Sequence, residues 1–535
     1  MIRVLFFFFV VLSSIQAQGK YIKNTMEPPI NTLPIMDSAY NLSLNIDTPE
    51  LKTILGFLAS DSCQGRELGK PGIDIAAAYI SKKYEEYHIP KVGSADNYYQ
   101  KVDFKWVSWD FNSINVDAQE YRQIWDYVSV PTDNQTLKII SDSIIFLGYG
   151  IDSPNYSDYN KVETNGKIVL IYNGEPKNKK GINLINRKQS ASIWSSLDEK
   201  MKAAKNHGVK CILIIEEKFK ELADQNRAFL SSPTVVLTNQ EKDISNNVNV
   251  VHLSSSMVSR MFGNKVKSII SARDKINKSA KPKTIYFRNL IEINQIKEVK
   301  EIKGNNIMAY IEGSDKKNEL VILSAHYDHI GMRGQDIFNG ADDNGSGTAG
   351  LTQIARTLQI AKDKGLGPRR SVLCLSLTGE EKGLLGSMYY VTDPVFPLSS
   401  TIVDVNIDMI GRVDQKYATN SNYVYVIGSD RLSMDLHKAN EEVNRLYSHL
   451  TLDYMYNAED DVNRFYYRSD HYNFAEKGIP AIFFFSGVHE DYHRITDDIE
   501  KIQFEKYRNI VRHAFLLIWK LANMEKKIEL TSLDH

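Results

Sequence analysis

Cysteine is scarce. Cys63, Cys211 and Cys374 are the only three in 535 residues, so no disulfide framework organises the fold. The last two sit in apolar runs, KCILII and VLCLSL, where a thiol behaves as a small buried hydrophobe. Long apolar runs are scarce too. The one at the N-terminus, Val4 to Leu12 in MIRVLFFFFVVLSSIQAQGK, falls far short of the ~20 residues that span a bilayer. With Arg3 before it and small, polar residues after it, the run reads as a secretory signal over residues 1–17, cut near Ala17. No cysteine follows it, which gives no support to a lipid-anchored start, and after signal removal no stable membrane span is expected. An excess of charge of one sign is also lacking: 65 Lys plus Arg nearly cancel 66 Asp plus Glu, so no overall field recommends nucleic acid or an anionic membrane as partner.

What is present is enough apolar material, 42% of residues, for sizeable cores, and a length that suggests roughly two to four domains. IDIAAAYISKKYEEYHI has helical spacing, with Ile75, Ala78, Tyr79 and Ile80 expected toward a core. From about 118 the character changes to short β-branched runs, DSIIFLGYGI, GKIVLIYNG, VKCILIIEE and PTVVLTN, and ARDKINKSAKPK near 273–283 reads as a helix-poor linker. Strand-then-helix units follow: ELVILSAHYD with SGTAGLTQIARTL, RRSVLCLSL with GEEKGLLGSMYYV, then TIVDVNIDMIG and IPAIFFFSG before a closing helix. Continuously apolar strands alternating with helices imply an α/β domain around a mainly parallel, doubly covered sheet. It is expected to be discontinuous, over 36–117 and 286–525, with 118–285 as a β-rich α/β insertion and linker.

In open α/β sheets ligands bind beyond the carboxyl ends of the strands. The unusual polar residues sit there: His326 and Asp328 close VILSAHYD, Asp342 and Asp343 lie in the following loop, Glu380 and Glu381 close the next strand, Asp408 closes IVDVNID, and His493 comes soon after AIFFFSG. Each has a bland explanation. Thr378 and Glu381 fit a capping box, and NGADDNGSG is a turn-forming composition. From Asp342 the loop also opens like a calcium loop, but its twelfth position is Gln353 rather than a bidentate glutamate, which excludes that reading. The order and placement of the set favour a site. Imidazole and carboxylate without thiolate suit zinc or a neighbouring metal in an open, catalytic centre, and two His with three carboxylates suit two metals sharing a bridge. In H-x-D at 326 and 328 the two side chains face the same way, so Asp328 can orient the imidazole.

HYDHIG, NGADDNGSG, LTGEEKGLLGS, NIDMIGR, RSDHYNF with GIPAIFF, and EDYHRITDD occur in one order. This ordered set resembles the di-zinc exopeptidases that include secreted bacterial aminopeptidases and glutamate carboxypeptidases, over about 45–104 and 305–521. The middle region resembles the protease-associated domain that many of them carry as an insertion. The resemblance implies Asp342 as the bridging carboxylate, His326 and Asp408 completing one zinc, Glu381 and His493 the other, and Glu380 as general base. It also implies a cis peptide at Asp342–Asp343, Tyr492 near the oxyanion, and Asp470, His471 and Arg468 as pocket residues. His329 is assigned to loop packing. The expected activity is an exported aminopeptidase acting on peptides. A carboxypeptidase for acidic C-termini is the alternative, with Arg468 as the required cation. A single-zinc cyclising transferase fits the ligand set less well, and a receptor-like binding protein would have broken ligand positions.

Overall fold

The computed structural model describes residues 33–92, 96–240, 244 and 247–531; the expected signal sequence lies outside them. Where the sequence runs without interruption through β-branched and aliphatic residues, strands form with both faces buried. Arg370–Leu377, Lys316–His326, Thr401–Ile407 and Ala481–Phe485 lie side by side in that order, all parallel. Antiparallel strands extend the sheet: Ile291–Ile311 and then Tyr99–Val116 on one side, Tyr423–Ile427 on the other. Alternation along Arg370–Leu377 shows how both faces are covered. Val372 and Cys374 join the core built with helices Thr48–Leu58, Pro71–Glu86, Gly347–Asp363 and Phe504–Asn523. Leu373, Leu375 and Leu377 pack instead with Tyr390 and Phe474, from helices Leu385–Thr392 and His471–Glu476. The expected α/β architecture with a doubly covered parallel core is therefore present.

A second sheet with its own core orders Thr284–Phe287, Ile144–Leu147, Ile168–Tyr172, Cys211–Glu216, Asn249–Ser254 and Tyr127–Val128. This segment is not merely tethered. Its strand Thr234–Leu237 pairs with Tyr99–Val116, and Leu137–Ser141 pairs with Ile291–Ile311, so residues within 118–285 extend the larger sheet.

Two local expectations are corrected. The supposed linker is mostly helix, Val266–Ser279, closed by Ala280 in the left-handed region. Ile269, Ala272 and Ile276 form its buried stripe at helical spacing, which the lysines between them conceal. In helix Pro71–Glu86 the buried face is Ile73, Ala76, Ala77, Ile80 and Tyr84, whereas Ile75 and Ala78 point outward. Ile80 is buried and Tyr79 packs against the core as expected.

Two buried histidines away from any pocket give the fold a pH signature. His513, in the closing helix, lies 2.9 Å from Ser448 Oγ through Nδ1 and 2.9 Å from Asn440 Oδ1 through Nε2, and burial pushes it down to about 3. His471 is likewise lowered to about 3 by burial. A histidine depressed in the fold is neutral there while the unfolded chain takes up its proton. Stability is thus unaffected above the unfolded value of 6.5 and falls as the pH drops from 6.5 toward 3, by up to about tenfold in the folding constant per pH unit and histidine. Urea midpoints of the wild type and His513→Gln between pH 7 and 4 should show a shallower acid loss in the variant; identical slopes would refute the assignment.

Candidate metal centre

Because the four central strands are parallel, the residues just past their carboxyl ends share one edge. His326 is the last residue of Lys316–His326, and Asp408 follows Thr401–Ile407 directly. After Arg370–Leu377 the chain turns through Gly379, φ 72°, into Glu380 and Glu381. Asp343 sits in the 341–346 turn that leads into helix Gly347–Asp363, and His493, φ 56°, lies in the segment beyond Ala481–Phe485.

Their side chains converge. His326 Nε2 is 3.5 Å from Asp343 Oδ1, 3.3 Å from Asp408 Oδ1 and 3.8 Å from Glu380 Oε2. His493 Nε2 is 3.0 Å from Asp343 Oδ2 and 3.4 Å from Glu381 Oε2. One carboxylate, Asp343, therefore faces one histidine with each oxygen. Donor atoms bound to one tetrahedral zinc at 2.0–2.1 Å stand about 3.3 Å apart, and these separations scatter around that value. Four carboxylates crowd together, none of them in an ion pair with Lys or Arg among the described residues, and Asp408 Oδ1 is buried without a hydrogen bond. The donor set fits two metal ions sharing Asp343.

The carboxylate that faces both histidines is therefore Asp343, not Asp342. The carboxylate of Asp342 turns away, accepting from Gly411 N at 2.6 Å and lying 3.3 Å from His489 Nε2. The cis peptide is shifted with it, at Asp343–Asn344 rather than Asp342–Asp343. Adjacent aspartates leave the choice open in sequence; the backbone decides it, because Asp497 accepts from both Asp342 N and Asp343 N, at 3.0 and 3.1 Å, and fixes the turn.

Asp328 supports the site differently from expectation. His326 Nδ1 lies 3.1 Å from the Asp328 carbonyl, and the carboxylate is farther, at 3.7 Å. That carboxylate accepts instead from Glu380 N at 3.1 Å and Glu381 N at 3.3 Å, pinning the turn that carries both glutamates. The neighbours then diverge electrostatically. Burial pushes Glu380 well above the usual carboxylate range, with His326 opposing and Glu381 and Asp408 reinforcing the rise. Burial acts on Glu381 too, but hydrogen bonds from His329 and His493 hold it well below that range.

The pocket is walled by Met409, Phe465, Phe483, Phe485, Val488 and Tyr492, with Arg468 at its lip. Tyr492 stacks on His493 at 3.9 Å, and the Arg468 guanidinium lies 4.8 Å from the Phe465 ring. Asp470 and His471 do not line it. Asp470 is buried on Ser387 Oγ at 2.5 Å, and His471 stacks on Phe483 at 4.8 Å, because the helix that starts there packs beneath the strands. Their neighbour Ser469 reaches the site instead, donating to Asp408 Oδ2 at 2.8 Å. His329 also belongs to the centre, with Nδ1 2.8 Å from Glu381 Oε1.

A parallel sheet with an aspartate set between two His-carboxylate groups at its carboxyl edge is the arrangement of a zinc-hydrolase type of centre. Residues 306–518 match the family model of Peptidase family M28. Among curated relatives, it is 27% identical to Aminopeptidase YwaD of Bacillus subtilis over 220 residues, 40% of this chain and 43% of that one. It is 35% identical to the probable glutamate carboxypeptidase VP8 of Zea mays over 120 residues, 22% of this chain and 16% of that one. The matches thus span less than half the length of these relatives. The fold is that of the aminopeptidase from Aneurinibacillus sp. strain AM-1, with TM-score 0.52 and 17% identity over 93% of this chain and 99% of that one.

Proposed function

We propose that the protein is an exported zinc-dependent exopeptidase, an aminopeptidase that removes N-terminal residues from peptides. The observation that carries the reading is the convergence of His326, Asp408, His493, Glu381 and Glu380 around the two oxygens of Asp343. His326 and Asp408 would hold one zinc ion and Glu381 and His493 the other, with Asp343 shared. Zinc bound there supplies a Lewis acid for the scissile carbonyl and lowers the pKa of the attacking water.

The chain's own residues do the rest. Glu380, held at the mouth of its turn by Asp328, takes the proton of the attacking water and delivers it to the leaving amine. The aromatic wall of Phe465, Phe483 and Phe485 receives an apolar side chain and keeps bulk water from the reacting bond. Tyr492, beside His493, is placed to face the developing oxyanion. The carboxylate-rich end of the pocket complements a free N-terminal ammonium. The names of the relatives, an aminopeptidase and a glutamate carboxypeptidase, support an exopeptidase of this kind. Export rests on the N-terminal signal pattern, and the segment 118–285 is assigned as a protease-associated domain and linker on its GYGI and NGKIVLIYNG motifs. Among the described residues no helix is long and apolar enough to cross a membrane.

The carboxypeptidase alternative is favoured by one observation: Arg468 lines the pocket, stacked on Phe465 and exposed toward solvent, where it could hold a substrate carboxylate. The purified chain incubated with N-free and N-blocked peptide libraries, read by mass spectrometry, decides between the two. Stepwise loss from free N-termini, with Arg468→Met retaining at least about half the activity, is expected, since lip contacts of this kind contribute little. Trimming of blocked peptides from the other end, abolished in Arg468→Met, would overturn the aminopeptidase reading.

A further inference from the structure

His329 is an unusual residue to bury. Its side chain is fully enclosed, its Nε2 has no hydrogen-bond partner, and an apolar residue of similar size would avoid the cost of that orphaned nitrogen. The seat is nevertheless built for an imidazole. Gly340, φ 55°, lies so close that a Cβ there would meet His329 Cδ2 at 2.5 Å and Cγ at 2.6 Å, so no other residue type leaves room for the ring. The buried Arg66 fixes both walls of the seat. Its guanidinium donates to Tyr327 O at 2.8 Å, to Asn339 O at 2.6 Å and to Gly340 O at 2.9 Å, while its own carbonyl accepts from His329 N at 3.2 Å. A cation with this many main-chain partners holds the strand exit at 327–329 against the loop at 339–340.

The outcome is one directed contact, Nδ1 of His329 to Oε1 of Glu381 at 2.8 Å. That is hydrogen-bond spacing, shorter than the separations of about 3.3 Å expected between donors on one zinc, and shorter than the 3.7 Å to Asp343 Oδ2. Since the carboxylate can only accept, Nδ1 is the donor of this contact, and Nε2 is the nitrogen left without a partner. The opposite oxygen of Glu381, Oε2, is the one that faces His493.

We propose that His329 is a positioning residue that holds Glu381 by one oxygen and so reserves the other for the metal on the His493 side. The inference rests on the two-metal reading above. It gives a physical reason for the separate roles of the adjacent glutamates: Glu381 is tied down by His329, whereas Glu380 has only its backbone pinned.

The test measures zinc, independently of turnover, by competition with a chromophoric chelator and by the visible spectrum of the cobalt-substituted protein. His329→Leu should weaken retention of one of the two ions by about 10–100-fold and leave the other unchanged. His329→Asn, whose amide Nδ2 stands where the imidazole Nδ1 stood, should restore most of that loss. His329→Gln places its amide near the Nε2 position and should not, so the comparison of Asn with Gln decides the matter even where the leucine variant fails to fold. Wild-type retention in His329→Leu or in His329→Gln would overturn the proposal, as would His329→Asn as depleted as His329→Gln, which would make the imidazole itself a ligand. A wild-type protein that binds fewer than two ions would refute the underlying reading instead.

Discussion

Replacing Glu380 by alanine should leave two zinc ions in the protein and lower turnover by about 10²–10⁴-fold, whereas replacing Glu381 should release one of them. The two residues are adjacent, equally charged and carried by one turn, so any general disturbance of the turn would affect both variants alike. What separates them is where each side chain goes. Glu381 Oε2 lies 3.4 Å from His493 Nε2, and its other oxygen lies 2.8 Å from His329 Nδ1. Glu380 reaches only to 3.8 Å from His326, and burial favours its protonated form, the state a base must enter during the reaction. Metal analysis of the dialysed variants beside single-turnover rates makes the comparison. Equal zinc content in the two would show that the division of labour is wrong, since His326, Glu380 and Asp408 also offer atoms close enough to form one metal group.

How much of this was legible in sequence follows from the range over which each signal acts. The parallel core was readable because strands covered on both faces are apolar along most of their length, as in Arg370–Leu377, all of whose residues are buried. The location of the site was readable for the same reason: once the strands are parallel, their ends coincide. Side-chain direction was not. Asp342 and Asp343 differ by one position in a turn whose conformation is set by Asp497, more than 150 residues away, and nothing local reports that contact. Ser469 was overlooked inside a motif whose louder members, Asp470 and His471, fold away beneath the pocket. The helix Val266–Ser279 was hidden by composition, since four of its fourteen residues are Lys or Arg and its apolar stripe is narrow. His329 has no signal in sequence beyond that of a loop histidine, which is commonly just packing; the cradle of Gly340 and Arg66 distinguishes it.

The neighbouring aspartates provide the second large contrast. Asp343→Ala should lose both zinc ions and fall to background activity, because among the described residues it alone faces both His326 and His493, one with each oxygen. With Glu380 kept as base and His329 as a support of Glu381, either half-site deprived of them is left with one histidine and one carboxylate as ligands, His326 with Asp408 or His493 with Glu381, fewer than the three protein ligands usual for catalytic zinc. Asp342→Ala should behave otherwise. Its carboxylate serves Gly411 N and His489, so removing it leaves a buried donor without its acceptor at a cost of about 1–3 kcal/mol in stability, while zinc content stays at two. Some turnover is lost with it, since Gly411 follows Asp408 closely and the freed segment loosens one ligand. Thermal melts with and without chelator, read together with metal content, distinguish the cases: chelator should lower the melting temperature of Asp342→Ala as it does that of the wild type, and have no effect on Asp343→Ala. The reverse pattern would return the bridge to Asp342 and with it the original reading of NGADDNGSG.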